Sequence, residues 1–171
     1  MDEVEREAVE VMFISTNDDV AEFGPAWQRL EELVGTRRRK FFGAFYPPTK
    51  EYRVCVQVQE GDDPKSLGLE TGMLPGGRYL RERIRGEPPA LYERIAPTFE
   101  ELLKQAPSDE SRPSIEFYRR HDEIDLLLPV AGDEGAHSAA PTREAVSALP
   151  TRPSYAPCGG ASTLPKKKLP W

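Results

Sequence analysis

Cysteine and histidine are scarce in this chain, which has two of each among its 171 residues. Cys55 lies in a strand-like pattern and Cys158 lies in a proline-rich segment, so the sequence suggests no disulfide and no thiolate metal site. His121 and His137 have no further residues around them at the spacing of metal ligands. We therefore expect a protein without a metal ion or another cofactor.

The chain also lacks long apolar segments and an excess of basic residues. No stretch approaches about 18 consecutive apolar residues, and no apolar run follows a basic N-terminal start. We therefore expect no contact with a membrane and no signal peptide, and we take the cytoplasm as the default location. Residues 1–130 carry 18 Lys and Arg against 26 Asp and Glu, a net charge of −8. Because broad nucleic-acid binding depends on neutralising many phosphates, and no helix-turn-helix pattern can be placed, we expect no direct binding to nucleic acid.

The composition changes near residue 131. Residues 131–171 contain six of the 17 prolines and only four large aliphatic residues, with five basic residues against three acidic ones. Such a segment cannot bury enough apolar surface to offset the entropy lost on ordering. We predict one globular domain at 1–130 and a proline-rich disordered tail at 131–171, which could serve as the contact for a protein partner.

Residues 25–58 and 97–130 resemble each other without a gap at an offset of 72 positions. Six of the 34 pairs are identical, and the helix-like and strand-like stretches coincide as well. A repeat of this length is too long for a solenoid and indicates one duplicated unit. We predict a first repeat at about 4–60 and a second at about 69–130, with a ligand cleft at the seam between them.

Each repeat has the pattern strand, helix, strand, strand. The first repeat opens with a predicted strand from Val4 to Ile14, followed by apolar residues spaced as on one face of a helix, Val20, Phe23, Trp27, Leu30 and Val34. Pro25 and Pro97 predict a bend or a break at the equivalent place in the two helices. The predicted fold class is α+β. Duplicated β-α-β-β units would form a pseudo-twofold antiparallel sheet, with the helices on one face and a cleft at the junction.

The last hairpin decides which side chains are predicted to face the cleft. A four-residue loop at 120–123 would pair Tyr118 with Asp125 and Glu116 with Leu127. Because side chains alternate along a strand, these four residues would share the face away from the core. The offset of 72 positions adds the free face of the first repeat, from which we predict four further ligand-binding residues, Phe42, Ala44, Tyr46 and Cys55.

A groove with aromatic walls and an acidic end suits a flat molecule that is apolar, aromatic or cationic. Aromatic rings supply contact area and cation–π attraction, and a carboxylate supplies the complementary charge. The alternative is that Glu116, Tyr118 and Asp125 are only the solvated side of an antiparallel sheet that buries its other face.

With these elements in place, the domain resembles the GyrI-like small-molecule-binding family. The resemblance covers about residues 4–130 and rests on four motifs in order, LPGGRY at 74–79, GEPP at 86–89, RPSIEFY at 112–118 and EIDLLLPV at 123–130. It implies a pseudo-symmetric pair of units with a ligand cleft at their junction, as in the effector-binding domains of bacterial multidrug-sensing regulators. It also implies that Glu116 faces a cationic aromatic ligand. The chain differs from the family in having Leu127 where an aromatic residue is common and Asp125 where glutamate is common.

Three functions follow from this reading. The first is a free-standing sensor or sequestering protein that binds a small molecule, with Glu116 as the charged anchor. The second, implied by relatives that resemble hydrolases, is the opening of a strained cyclopropane ring, in which Glu116 activates a water and Tyr118 donates a proton. The third is an adaptor or inhibitor that acts on another protein through an exposed patch or through the tail.

Overall fold

The computed structural model describes residues 1–17 and 19–131, which form eight strands and three helices. The predicted tail beyond Ala131 lies outside the described residues. The elements are β1 (Asp2–Arg6), β2 (Val9–Asn17), α1 (Val20–Val34), β3 (Phe41–Tyr46), β4 (Glu51–Gln57), β5 (Glu70–Leu74), β6 (Gly77–Arg85), α2 (Ala90–Glu93), α3 (Ile95–Gln105), β7 (Ser114–Arg120) and β8 (Glu123–Pro129).

All eight strands belong to one antiparallel sheet with the order β1-β6-β8-β7-β3-β4-β2-β5. This confirms the predicted α+β class. The two predicted units are visible as β2-α1-β3-β4 and β6-α2-α3-β7-β8, and they meet where β3 pairs with β7 in the middle of the sheet. The predicted first strand is divided at residues 7–8 into β1 and β2, which lie far apart in the strand order. The shared origin of the two units stays a prediction.

The sheet is strongly curled, and two short connections show why. Strands β1 and β2 are six positions apart in the sheet, as are β5 and β6, yet each pair is joined by only two residues. Six strand spacings in a flat sheet would span about 29 Å. A two-residue link spans at most about 11 Å. The outer strands must therefore approach each other, so that the sheet forms a half-barrel with one enclosed face.

Two apolar layers follow from this shape. On the outer face, helices α1 and α3 cover side chains such as Val54 and Leu126, both fully buried. On the inner face, strands from both halves of the sheet contribute a second buried cluster: Val11, Phe13, Phe42, Ala44, Cys55, Leu74, Tyr79, Ile115 and Leu127. Both faces of the sheet therefore carry a buried apolar cluster.

The helices show how the prolines are accommodated. Helix α1 begins after Asp19, whose carboxylate accepts a hydrogen bond from the Ala21 amide, and it contains Pro25 without a break. The second helical segment is divided at Arg94 into the single turn α2 and the longer α3. The predicted break is thus seen in the second unit only, upstream of Pro97. No helix within the described part of the chain is long and apolar enough to cross a membrane.

The hairpin between β7 and β8 differs from the predicted pairing, and this is a correction. Tyr118 pairs with Ile124 and Glu116 with Leu126, because Arg120 pairs with Glu123 across a two-residue turn and the register shifts between Tyr118 and Arg120. The extra residue in β7 is a β-bulge. Because side chains alternate with a period of two, a shift of one residue moves the whole of β7 to the opposite face.

Candidate functional site

The register shift in the hairpin between β7 and β8 separates the eight predicted ligand-binding residues into two groups. Glu116 and Tyr118 lie on the outer face, on the side of the helices, where Tyr118 belongs to the outer apolar cluster. The other six lie on the inner face of the half-barrel: Phe42, Ala44, Tyr46, Cys55, Asp125 and Leu127. The prediction of one shared face is therefore wrong. Of the six, all but Tyr46 are buried, and burial raises the pKa of the Cys55 thiol.

A groove between the helices is the candidate site. Helix α1 packs on β2 and β4, whereas α3 packs on β6 and β8, so the central strands β3 and β7 lie between the two helices. The side chains of β3 and β7 that face the helices form the floor of this groove: Phe41, Gly43, Phe45, Ser114, Glu116 and Tyr118. Glu116 is partly exposed at this level, although its neighbours Tyr52 and Tyr118 are buried.

Two tyrosine hydroxyls hold the Glu116 carboxylate. The Tyr52 hydroxyl donates to Oε2 of Glu116 at 2.8 Å, and the Tyr118 hydroxyl donates to the same oxygen at 2.6 Å. No described residue donates a hydrogen bond to the other oxygen, Oε1, and no described Lys or Arg forms an ion pair with this carboxylate. The groove therefore contains a partly buried negative charge without a positive partner from the described chain.

Aromatic rings from α1 surround the two tyrosines. Phe23 stacks on Tyr52 with ring centroids 4.2 Å apart, and the Trp27 ring meets Tyr118 edge to face at 5.0 Å. Trp27 also contacts the ring of Phe41 at 6.2 Å. Such aromatic contacts fix the rings in place, so the tyrosine hydroxyls are held toward the carboxylate before any ligand binds.

Gly43 makes room for this arrangement. It lies opposite Glu116 in the sheet, and a Cβ atom built on it would overlap the Tyr52 hydroxyl and approach Oε2 of Glu116 to 2.6 Å. Its backbone has no positive φ, so the requirement for glycine is one of space and not of backbone conformation. The absence of a side chain here lets Tyr52 reach across β3 to Glu116.

The two tyrosines should titrate abnormally. Burial, followed by the adjacent charge of Glu116, raises the pKa of Tyr52 and of Tyr118 well above the ordinary value of 10.0. Each tyrosine has a higher pKa in the folded protein than in the unfolded chain. The protonated tyrosines therefore stabilise the fold fully at a pH below the unfolded-state pKa, and this contribution is lost as the pH rises from the unfolded-state pKa to the folded-state pKa. In an absorbance titration at alkaline pH, we expect a late step that coincides with unfolding. In the double variant Tyr52→Phe/Tyr118→Phe the step should be smaller but not absent, because burial also raises the pKa of Tyr79 and Tyr92. A late step of unchanged amplitude in that variant would contradict the assignment.

Within the described residues, no group of three or more His, Cys, Asp or Glu side chains could hold a metal ion. The residues that the sequence analysis missed are Tyr52, Phe23, Trp27 and Gly43, of which Phe23 and Trp27 appeared there only as apolar residues on one face of the first helix. The signal for Tyr52 was its position on the helix-facing side of β4, together with a glycine on the neighbouring strand.

Comparison with solved structures shows the fold. No family model matches the chain, and no curated protein sequence matches it. An integron cassette protein from Vibrio cholerae superimposes with a TM-score of 0.63 at 16% identity, over 76% of this chain and 95% of that one. SAV2435 bound to tetraphenylphosphonium superimposes with a TM-score of 0.56 at 14% identity, over 80% of this chain and 96% of that one. A candidate transcription regulation protein from Staphylococcus aureus gives a TM-score of 0.56 at 14% identity, over 77% and 97%. At these identities the similarity shows a common fold.

Proposed function

We propose that this protein binds a lipophilic aromatic cation in the groove between α1 and α3, with Glu116 as the charged anchor. The observation that carries the proposal is the partly buried Glu116 carboxylate, which has no cationic partner among the described residues and lies among aromatic side chains. Leaving a carboxylate away from bulk water without a counter-charge is costly, and a bound cation offsets that cost.

The arrangement of hydrogen bonds fits an anchor that is ready before the ligand arrives. Tyr52 and Tyr118 use only one carboxylate oxygen, so Oε1 is left to face a positive charge. Aromatic faces attract cations by about 0.5–2 kcal/mol each, depending on how far the pair is desolvated. A flat or propeller-shaped cation with little hydration of its own gains most from such a site, because it gives up few water contacts on binding.

Two further lines support the proposal. One of the structures with this fold, SAV2435, is bound to tetraphenylphosphonium, a lipophilic aromatic cation. The sequence resembles the GyrI-like family, and the glutamate that the resemblance assigns to cation binding is Glu116. Both lines support a role like that of GyrI-like multidrug-binding domains.

The hypothesis that the protein is a hydrolase is not favoured by the surroundings of Tyr118. Burial and the adjacent Glu116 carboxylate raise the pKa of Tyr118, so its proton is harder to release to a leaving group. The Tyr118 hydroxyl is also engaged as a donor to Glu116. These features suit the fixing of a charge better than the transfer of a proton.

The test is calorimetric titration with tetraphenylphosphonium. For Glu116→Gln, which keeps the shape and removes the charge, we expect the affinity to fall by at least about tenfold. The neutral analogue triphenylphosphine oxide should bind both proteins equally. Glu70→Gln, on the exposed edge strand β5, serves as the matched control and should bind like the wild type. Equal affinity of wild type and Glu116→Gln for the cation would refute the anchor role.

A further inference from the structure

The inner face of the half-barrel carries a series of guanidinium–aromatic contacts. The Arg53 guanidinium lies 4.3 Å from the Phe13 ring centroid and 4.4 Å from that of Tyr46. Arg112 lies 5.0 Å from the Tyr79 ring. Two further contacts involve one ring, since the Phe117 centroid lies 5.3 Å from Arg6 and 5.8 Å from Arg119.

Arg6 differs from the other three arginines in this series. Arg53 forms an ion pair with Glu51 at 2.6 Å, Arg112 with Asp109 at 2.8 Å, and Arg119 with Glu123 at 3.1 Å. Arg6 is partly buried, but its guanidinium forms no ion pair and no hydrogen bond with a described residue, and the charge of Asp125 acts on it only from a greater distance. A guanidinium has five donors in a planar fork, and those of Arg6 are not used by the described chain.

The acids near Arg6 are already occupied. Asp125 accepts two hydrogen bonds from Arg83, at 2.6 and 3.1 Å, and Glu123 accepts one from Arg85 at 2.8 Å. Arg119 joins both acids as an additional partner, at 3.4 Å from Asp125 and 3.1 Å from Glu123. Three guanidiniums, those of Arg83, Arg85 and Arg119, thus share the two carboxylates, and Arg6 bonds neither of them.

This excess of positive charge runs against the composition of the domain, where residues 1–130 carry a net charge of −8. Burial lowers the pKa of Arg6, and the like charge of Arg119 acts in the same direction against the opposing effect of Asp125. A side chain that stays cationic in this setting gains from an anion that the chain itself does not supply.

We propose that Arg6 and Arg119, which both contact the Phe117 ring, form a binding site for a small oxyanion, a carboxylate or a phosphate. Guanidinium groups bind both kinds of anion in a bidentate manner. The site lies on the opposite side of the sheet from Glu116, because Glu116 and Phe117 are consecutive residues of β7 and point to opposite faces. It would therefore be chemically separate from the cation groove and would take a ligand of the opposite charge.

The experiment follows the arginine side-chain Nε–Hε signals by NMR during titrations with inorganic phosphate and with acetate, at constant ionic strength. In the wild type we expect the Nε–Hε signals of Arg6 and Arg119 to shift and then saturate as the anion is added. The anion with the lower dissociation constant, phosphate or acetate, shows which kind of ligand the site prefers. Arg6→Gln should weaken the better ligand at least about tenfold, since a charge-assisted pair of hydrogen bonds is lost. The affinity of Arg6→Lys, which keeps the positive charge but loses the planar fork of donors, should lie between that of the wild type and that of Arg6→Gln.

Two controls make the outcome decisive. Arg37→Gln removes the same charge from an exposed position after α1 and should titrate like the wild type. Glu116→Gln should also leave anion binding unchanged, so that failure of the cation groove and failure of this site are distinguishable. Shifts that rise linearly without saturation, or equal affinities in wild type and Arg6→Gln, would overturn the proposal.

Discussion

Replacing Gly43 with alanine should destabilise the protein by about 3 kcal/mol and abolish high-affinity binding of tetraphenylphosphonium. The added methyl group would overlap the Tyr52 hydroxyl, so the ring has to leave its buried position and its hydrogen bond to Glu116. Overpacking of this kind costs about 1–3 kcal/mol, and a hydrogen bond to a charged group contributes about 1.5–3 kcal/mol. The lower unfolded-state entropy of alanine returns about 0.5–1 kcal/mol of this. Urea unfolding measures the first effect and calorimetry the second.

Gly24→Ala is the matched control. Gly24 lies inside α1, and a Cβ atom built there would meet nothing within 4 Å. The same chemical change should therefore stabilise the protein by about 0.5–1 kcal/mol, because alanine favours the helix. Stabilisation by both substitutions would show that the Tyr52–Glu116 contact does not constrain the groove floor.

Removing the charge of Asp125 should lower the free energy of unfolding by about 2 kcal/mol at neutral pH. Asp125 is 1% exposed and bonds Arg83 and Arg119, so Asp125→Asn removes one of the two carboxylates that pair with these guanidiniums and leaves only Glu123. Breaking a fully buried pair costs about 3–5 kcal/mol. We expect less here because the side chains of Arg83 and Arg119 retain 30% and 41% of their exposure and can turn to water.

The effect of Asp125→Asn should depend on pH with a defined sign. Burial would raise the pKa of Asp125, but the hydrogen bonds and charge of Arg83, with the charge of Arg119, outweigh it and lower the pKa below the ordinary 3.8. The stabilisation is therefore present above the unfolded pKa and is lost as the pH falls through the folded pKa. Urea unfolding from pH 7 to pH 2 should show the gap between variant and wild type closing below about pH 4.

Asp2→Asn provides the comparison for this pair. Asp2 bonds Arg81 at 2.6 Å, but its side chain is 53% exposed. Exposed pairs contribute about 0–1 kcal/mol, so this variant should unfold within about 0.5 kcal/mol of the wild type. Equal losses for Asp2→Asn and Asp125→Asn would mean that burial of the carboxylate does not determine its contribution.

The elements and the outer core were accessible from periodicity alone. Trp27 and Leu30 recur at helical spacing, while Val54 and Val56 alternate as strand residues do, and all four are buried in the outer cluster between α1 and the sheet. These patterns depend on neighbouring residues in the chain. The α+β class followed because the number and order of such patterns allow few ways to cover both helices.

The residues of the site could not be predicted from the sequence, and one extra residue in β7 accounts for most of the difference between the predicted and the observed site. The helix-facing residues of β4 and β8, 52, 54, 56 and 124, 126, 128, are 72 positions apart, as the repeat predicts. Those of β3 and β7, 41, 43, 45 and 114, 116, 118, are separated by an odd number instead. The bulge at Arg119 absorbs the extra position. The predicted four-residue loop assumed a regular hairpin without a bulge, and for that reason Glu116 and Tyr118 were assigned to the wrong face.

The curl was also beyond sequence patterns, because it depends on pairing between distant strands. The inner residues Phe42, Ala44 and Leu127 looked like a free surface since only one helix layer was expected to cover the sheet. The two-residue links at 7–8 and 75–76 enclose that face instead. Their meaning becomes clear only once the strand order is known.

The strand order has a consequence for the independence of the two units. The N-terminal strand β1 pairs with β6 of the second unit, whereas β5, which follows the first unit, pairs with β2 of the first. If the chain were cut between β4 and β5, the N-terminal fragment would keep β1 without its partner β6. It would also lose β5, which pairs with one edge of β2. The halves are thus interlocked by reciprocal strand exchange, and we expect neither to fold as a separate module.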